Sequence, residues 1–298
     1  MPDIFIVKNS NNSRFDKWFK EEVINIPNSL IQKLLRTNKV KVNNKRIKSS
    51  LRLKIGDKVT VYNLSKYKPT NLKKKINYIP TSKEKTKYDN LIIYDDNNYI
   101  VINKPRGIAV QSGTKNLRNI IDTLKKTKYF NFAKPFIVHR LDKETSGVFL
   151  VAKNKDTAQF FTSLFRIRKI HKTYLAIVKG KVPENLKKME DILEYYEKNR
   201  KINLKAITLL KVLKSNEKFS LIELNPITGR KHQLRKQLYL RGFPIIGDNK
   251  YYILKNKKFK NQTMFLHSYY LRFIKDGKKF TYKANLDIEF KKKIDLIF

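Results

Sequence analysis

The stretch 64–88, LSKYKPTNLKKKINYIPTSKEKTKY, constrains this chain more than any other. It is polar and basic and carries Pro69 and Pro80, so it has too little apolar surface to join a hydrophobic core. It reads as an interdomain linker. The chain is thereby divided into a small unit over 13–63 and a large unit over 89–298, and each must bury its own core. The 298 residues, 41% hydrophobic and 12% aromatic, suffice for one large domain and one small one. They also exclude a wholly disordered chain.

Charge sets the first limit on function. Lys and Arg number 67 against 25 Asp and Glu, a formal net charge of +42. Such a body attracts polyanions, of which nucleic acid is the commonest in a cell. The sequence is also rich in Asn, Ile and Tyr, so part of the lysine content can reflect codon composition instead. The absence of cysteine excludes disulfides, thiolate metal sites and the zinc nucleobase deaminases. His139, His171, His232 and His267 show no metal-ligand spacing, so no metal is expected. No apolar run approaches the roughly 20 residues of a membrane span, and the N-terminus has no signal-peptide pattern. The chain reads as soluble and cytoplasmic.

Within 13–63, Ser13 is placed to cap a helix running through Phe15, Trp18 and Phe19. PNSLIQKLLRTNKV predicts a second helix, with Leu30, Ile31, Leu34 and Leu35 inward and Gln32, Lys33 and Arg36 outward. KVKVNNKRI predicts a hairpin turning at Asn43-Asn44, because Asn tolerates the left-handed backbone of such turns. Gly56-Asp57 predicts a further turn before a strand. Arg14-Phe15-Asp16-Lys17, Leu34-Leu35-Arg36, Val40-Lys41-Val42-Asn43 and Gly56-Asp57 with Val59 occur in an order that resembles the S-four-type RNA-binding domain. That module is found in a ribosomal small-subunit protein and in several RNA-modifying enzymes. The resemblance implies RNA contacts from Arg14, Lys17, Lys33, Arg36 and Lys41. A solvated basic face on an unrelated small domain is the alternative.

From residue 89 the pattern turns strand-rich. LIIYDDNNYIVINKP predicts a hairpin turning at Asn97-Asn98. GVFLVAK (147–153), KTYLAIV (172–178) and FSLIELN (219–225) read as strands. NKDTAQFFTSLFRIR (154–168) reads as a helix capped by Asn154 or Asp156, and KHQLRKQLYLRGF as one ended by Gly242. The fold class is α+β: a small helix-hairpin domain, then a large, mostly antiparallel mixed sheet with flanking helices.

In IVHRLDKETSGVFLVAK (137–153), His139, Arg140 and Asp142 share a loop between two apolar strands. A rigidly flanked loop bearing acid and base is a common seat of chemistry. A turn-capping Asp with a paired Arg would give the same spacing. HRLDKETSG resembles the H-R-L-D-x-x-T-S-G signature of the RluA-type pseudouridine synthases, through His139, Arg140, Leu141, Asp142, Thr145, Ser146 and Gly147. Similar segments follow in order: INKPRGIAVQSG, KTYLAIVKG with Lys172 and Tyr174, PITGRKHQLR with Gly229, Arg230, His232, Gln233, Leu234 and Arg235, FPIIGDNKYY and FLHSYYLRF. The resemblance covers 89–290, and the domain order is similar to the RluC and RluD branches. Gln237, Tyr252 and Ser268 depart from the usual pattern and bear on substrate choice.

The resemblance implies isomerisation of uridine to pseudouridine, in ribosomal RNA and most readily that of the large subunit. Transfer RNA, or a non-catalytic role in ribosome assembly, are the alternatives. Asp142 is the implied catalytic carboxylate, as nucleophile or as base. Arg235 is its implied partner, with Arg230 competing. Tyr174 is implied to stack on the uracil, and Arg140 to fill the space that the extruded base leaves. His139 and His232 read as structural groups. The reaction involves no redox change, so no cofactor is expected, and the protein reads as a monomer without an obligate protein partner.

Overall fold

The structure is a computed structural model that describes residues 2–8, 12–69, 88–111, 119–131, 133–197, 200–251 and 263–298. Most of the expected linker, Tyr252 and part of the 107–124 loop lie outside the described residues. The chain forms two compact units, Met1–Ile76 and Asn77–Phe298.

The first unit holds a three-stranded sheet in the order β1 (Asp3–Ile6), β3 (Lys58–Val61), β2 (Val40–Val42). Strand β1 precedes residue 13 and pairs antiparallel with β3. Helix α1 (Phe15–Trp18) passes into a π-helical turn over Phe19–Val23, and α2 spans Asn28–Arg36. Phe15, Trp18, Phe19, Ile31, Leu34 and Leu35 pack with Val40, Val59 and Val61 into one core. Ser13 does not cap α1. The cap position is Arg14, which makes no side-chain cap bond. The first free N–H groups of α1 donate instead to backbone carbonyls, Phe15 N to Leu51 O at 2.7 Å and Asp16 N to Ser49 O at 3.1 Å. A side-chain cap is therefore unnecessary. Asn43 and Asn44 do form a tight turn with φ of 47° and 61°. The chain beyond that turn does not continue as a strand, and β2 pairs with β3.

The second unit is built on a ten-stranded sheet. Its main path runs β4 (Ile92–Asp95), β5 (Tyr99–Lys104), β7 (Ser146–Ala152), β12 (Leu266–Lys275), β8 (His171–Lys179), β11 (Phe219–Pro226), β10 (Arg200–Ser215), β9 (Lys188–Glu197). Strand β6 (Phe136–Ile137) pairs with β7, and β13 (Lys278–Lys283) with β12. All described pairings are antiparallel except that of β7 with β12. The β4–β5 turn forms where Asp96 Oδ1 accepts from the N–H groups of Asn98 and Tyr99, both at 2.7 Å. Helix α3 covers Ile120–Leu124, α4 Lys155–Arg166, α5 Gln233–Leu240 and α6 Ile288–Ile297. Asn154 caps α4 by accepting from Thr157 N at 2.9 Å. Phe161 of α4 is fully buried against Tyr99, Val148 and Phe273. No described helix is long and apolar enough to cross a membrane.

The β7–β12 crossing joins the two halves of the sheet, and Gly147 is where it closes. Gly147 has φ +108°, and a Cβ there would lie 2.1 Å from the backbone oxygen of Ser268. Gly107 also has positive φ, +76°, but a Cβ there meets nothing within 4 Å. Gly107→Ala should therefore cost only the backbone strain of about 1–3 kcal/mol. Gly147→Ala adds a backbone clash and should destabilise more, to the point of little soluble folded protein. Denaturant unfolding of the two purified variants checks the order.

Candidate active site

The loop from His139 to Thr145 leaves β6 and re-enters the sheet at β7, and buried groups fix both its ends. Lys104, at the end of β5, is fully buried. Its Nζ donates to the carbonyls of Pro105 (2.9 Å), Lys143 (3.1 Å) and Thr145 (2.8 Å). Burial pulls its pKa down to about 7. His139 lies against the rings of Phe149 and Phe165. Its Nε2 accepts from Leu150 N at 2.9 Å, which puts its proton on Nδ1. Desolvation, then the charge of Lys172, pushes its pKa down to about 3, so the ring stays neutral. His267 Nε2 donates to Ala284 O at 3.1 Å, because a carbonyl can only accept. Its Nδ1 then accepts from Ser146 Oγ at 2.9 Å. His139 and His267 are thus structural groups.

Asp142 sits on a cleft of about 610 Å³, whose lining includes Tyr174, Arg140, His232 and Arg235. Arg235 Nη1 donates to Asp142 Oδ2 at 3.1 Å, although 93 residues separate them. The rest of that guanidinium is committed elsewhere: Nε and Nη2 each donate to Asp248 at 2.7 Å. The Asp248 side chain is 1% exposed, Arg235 9% and Asp142 28%. Asp248 Oδ1 also accepts from Lys250 N (2.9 Å) and Tyr251 N (3.1 Å). Burial opposes the Asp248 charge, but the guanidinium and these N–H groups outweigh it and lower its pKa. Burial likewise opposes the Arg235 charge, and the two carboxylates raise its pKa well above the ordinary value. Arg235 therefore stays charged.

His232 stands beside this chain in a left-handed conformation, φ 52°, just before α5. Its Nε2 is 3.6 Å from Asp142 Oδ1 and its Nδ1 is 3.0 Å from Tyr251 Oη. Desolvation lowers its pKa despite Asp142, so the imidazole is neutral at pH 7. Tyr174 is half-buried on β8, between two apolar clusters. Burial pushes its phenol up to about 12.

Of the residues singled out in the sequence, Asp142, Tyr174, Arg235 and Arg140 meet at one cleft. Arg230 does not bind Asp142, because its Nε donates to Lys205 O at 3.1 Å. Gln237 lies away from the cleft lining. It is fully buried, accepts from Thr208 Oγ1 at 2.7 Å and donates to Asp191 Oδ2 at 2.6 Å, which ties α5 to the β9–β10 hairpin. Arg14, Lys17, Lys33, Arg36 and Lys41 belong to the first unit. Arg14 forks onto Asp16 at 2.7 and 3.0 Å, and Lys17 is 3.9 Å from Glu21. Lys33 and Arg36 are exposed and Lys41 is half-buried. Sequence reasoning missed Asp248 and Lys104. A signal for Asp248 existed in the preceding Gly247, where φ is +78° and a Cβ would meet Thr263 O at 1.9 Å. Among the described residues, no three His, Asp or Glu side chains are grouped to hold a metal ion.

Residues 98–239 match the family model described as RNA pseudouridylate synthase. The ribosomal large subunit pseudouridine synthase C of Buchnera aphidicola subsp. Baizongia pistaciae is 32% identical, over 96% of this chain and 94% of its own. The protein of that name from Rickettsia felis is 38% identical, over 86% of this chain and 87% of its own. Among solved structures, human RNA pseudouridylate synthase domain containing 4 matches with a TM-score of 0.60 and 27% identity, covering 72% of this chain and 95% of its own.

Asp248→Asn keeps the shape of the anchor and removes its charge. Arg235 is then left buried with Asp142 as its one carboxylate, and the variant should lose up to about 3 kcal/mol at neutral pH. The folded-state pKa of Asp248 is lowered, so its contribution is complete above the unfolded value near 4, declines below it, and is gone only once pH has fallen through the lowered folded value. The stability gap between the two proteins should be constant from pH 7 to about pH 5 and shrink progressively as pH falls toward 3 in unfolding curves.

Proposed function

Because this chain belongs to the RNA pseudouridylate synthase family, we propose that it isomerises uridine to pseudouridine in ribosomal RNA, that of the large subunit, using Asp142. The observation that carries the assignment is the Asp142–Arg235 contact of 3.1 Å inside the cleft, with Arg235 held from behind by Asp248. The relatives' names speak of the large ribosomal subunit, which favours ribosomal RNA over transfer RNA. The intact carboxylate–guanidinium pair favours an enzyme over a non-catalytic assembly factor.

The reaction breaks the bond from uracil N1 to ribose C1′, turns the base and joins C5 to C1′. Asp142 either attacks C1′ or takes the 2′ proton. Both routes need a carboxylate oxygen free to act on the ribose, and the Arg235 guanidinium faces the other oxygen of Asp142 at 3.1 Å. The target base must leave its stack to reach Asp142. Arg140, exposed at the cleft two residues before Asp142, is placed to fill the vacated position with its guanidinium plane. Tyr174 offers a ring to stack on, worth about 1–3 kcal/mol per base. With its pKa pushed up to about 12, even less of it is phenolate at neutral pH than of a free phenol, so its contribution is stacking rather than proton transfer. No cofactor enters this scheme.

In the same reading, residues 13–63 are the S-four-like RNA-binding module, 64–88 a basic linker and 89–298 the catalytic domain. Arg14, Lys17, Lys33, Arg36 and Lys41 contact RNA phosphates, Arg14 and Lys17 by exchanging their acidic neighbours for RNA. The protein works as a cytoplasmic monomer.

Asp142→Asn should abolish pseudouridine formation in large-subunit ribosomal RNA and leave RNA affinity within a few-fold. Turnover above background in the purified variant, read by mapping pseudouridine in the product RNA, would reject the assignment. Binding should weaken about a thousandfold or more between about 50 and 200 mM salt if six or more phosphates are contacted. Arg36→Ala should weaken binding and flatten the slope of log affinity against log salt by about one unit. A slope unchanged by this substitution removes Arg36 from the interface.

A further inference from the structure

Resting on the function proposed above, we infer that Lys172 and the open space at Gly229 form a subsite for the phosphate next to the target uridine. The cleft lining includes Arg140, Arg166, Arg168, Lys172 and Arg230, and Asp142 is its only acid among the described residues. Arg235 already occupies Asp142. Among the described residues of this unit, Lys104 binds three carbonyls, Lys153 binds Asp95 at 2.7 Å, and Arg106 binds Asp287 and Glu289, while Arg272, outside the cleft lining, donates Nη2 to Thr173 Oγ1 at 3.1 Å and leaves its Nε without a partner. Lys172 is half-buried and, among the described residues, its ammonium makes no hydrogen bond or ion pair. Desolvation alone lowers its pKa. A cation held out of water without a counter-charge is costly, and an anionic ligand removes that cost.

The position of Lys172 identifies the ligand group. Lys172 and Tyr174 are two residues apart on β8, so both side chains leave the same face, about 6.6 Å apart along the strand. That is too far for both to hold one uracil ring, but it matches a base and its own phosphate with a ribose between them. Gly229 faces the ammonium, and a Cβ there would lie 3.8 Å from Lys172 Nζ. The missing side chain leaves room for phosphate oxygens. The anion available in an RNA substrate is the phosphodiester.

The test compares uridine, uridine 5′-monophosphate and uridine 3′-monophosphate by calorimetric or NMR titration at low salt. Wild-type protein should bind one monophosphate about tenfold more tightly than uridine, and which one identifies the 5′ or the 3′ phosphate. Lys172→Met and Lys172→Gln should reduce that preference to about twofold or less, and Lys172→Arg should keep it. Lys211→Met removes the same charge from an exposed site on β10 and should also keep it. No preference in the wild type, a preference that survives in Lys172→Met and Lys172→Gln, or an equal loss in Lys211→Met, overturns the subsite. Pseudouridine formation in large-subunit ribosomal RNA is scored separately. A wild type without isomerase activity whose phosphate preference still depends on Lys172 defeats the proposed function and leaves the subsite standing. An active wild type without the preference defeats the subsite alone.

Discussion

Arg235 is shared between two carboxylates of unequal exposure, and the candidate site is arranged around that inequality. Asp248 is almost wholly enclosed and takes two of the guanidinium donors, which fixes the plane of the group. Only the Nη1 edge is left to meet Asp142 at 3.1 Å. An arginine held by Asp142 alone would be free to swing toward an incoming phosphate. Anchored from behind, it keeps its position while the substrate changes the solvent around Asp142. The charge balance also matters, because one cation between two anions leaves the trio at −1, beside a cleft whose other charged lining residues are cations. That local field favours a cationic or polarised partner at the Asp142 tip, while the rim attracts phosphates.

The same placement demands a rigid loop, and the rigidity comes from groups outside the cleft. Lys104 gathers the carbonyls of Pro105, Lys143 and Thr145 around one buried ammonium. Gly147 lets β7 approach β12 more closely than any Cβ would allow, and Ser146 next to it is bonded to His267. Of the two histidines of these motif segments, His267 spends both ring nitrogens on structure and His139 its Nε2, each in an enclosed site. Their lowered pKa values follow from that enclosure and do not mark them as acid–base groups. Perturbed titration accompanies functional sites, but it accompanies enclosed structural rings equally.

What was legible in the sequence was local. Asn154 capping α4, the Asn97-Asn98 turn and the apolar strand after Gly147 each depend on neighbours within a few residues. The failures come where a distant segment decides. Ser13 looks like a cap, yet the backbone of 49–51 satisfies α1. Asn43-Asn44 turns the chain, but β1 and β3 complete the sheet. The long β9–β10 hairpin mixes Lys and Glu with its apolar positions, so its alternation is faint. In the candidate site, Asp142 and Arg235 are adjacent only through the fold, and family resemblance supplied their pairing. Asp248 stood inside a quoted segment without a role, because a buried anchor for another side chain has no signature in spacing.

Net charge and site charge act at different ranges. The +42 of the whole chain produces a field that draws RNA from solution and that salt screens beyond about 8 Å at physiological ionic strength. Such a field has no preference for one uridine over another. Discrimination requires charges held close, partly dry and at fixed spacing, and few cations here meet that condition. Arg14 and Lys17 face acids of their own helical segment, and most of the described lysines are exposed. Lys172 is half-buried on the strand beside Tyr174, and Arg140, though exposed, is set on the loop just before Asp142. Arg140 shares its loop with Asp142 and Lys172 its strand with Tyr174, so in the proposed function a phosphate or base they held would be in register with Asp142. In the proposed function, abundant charge governs how often RNA arrives, and these two cations would govern whether a given nucleotide is aligned once it is there.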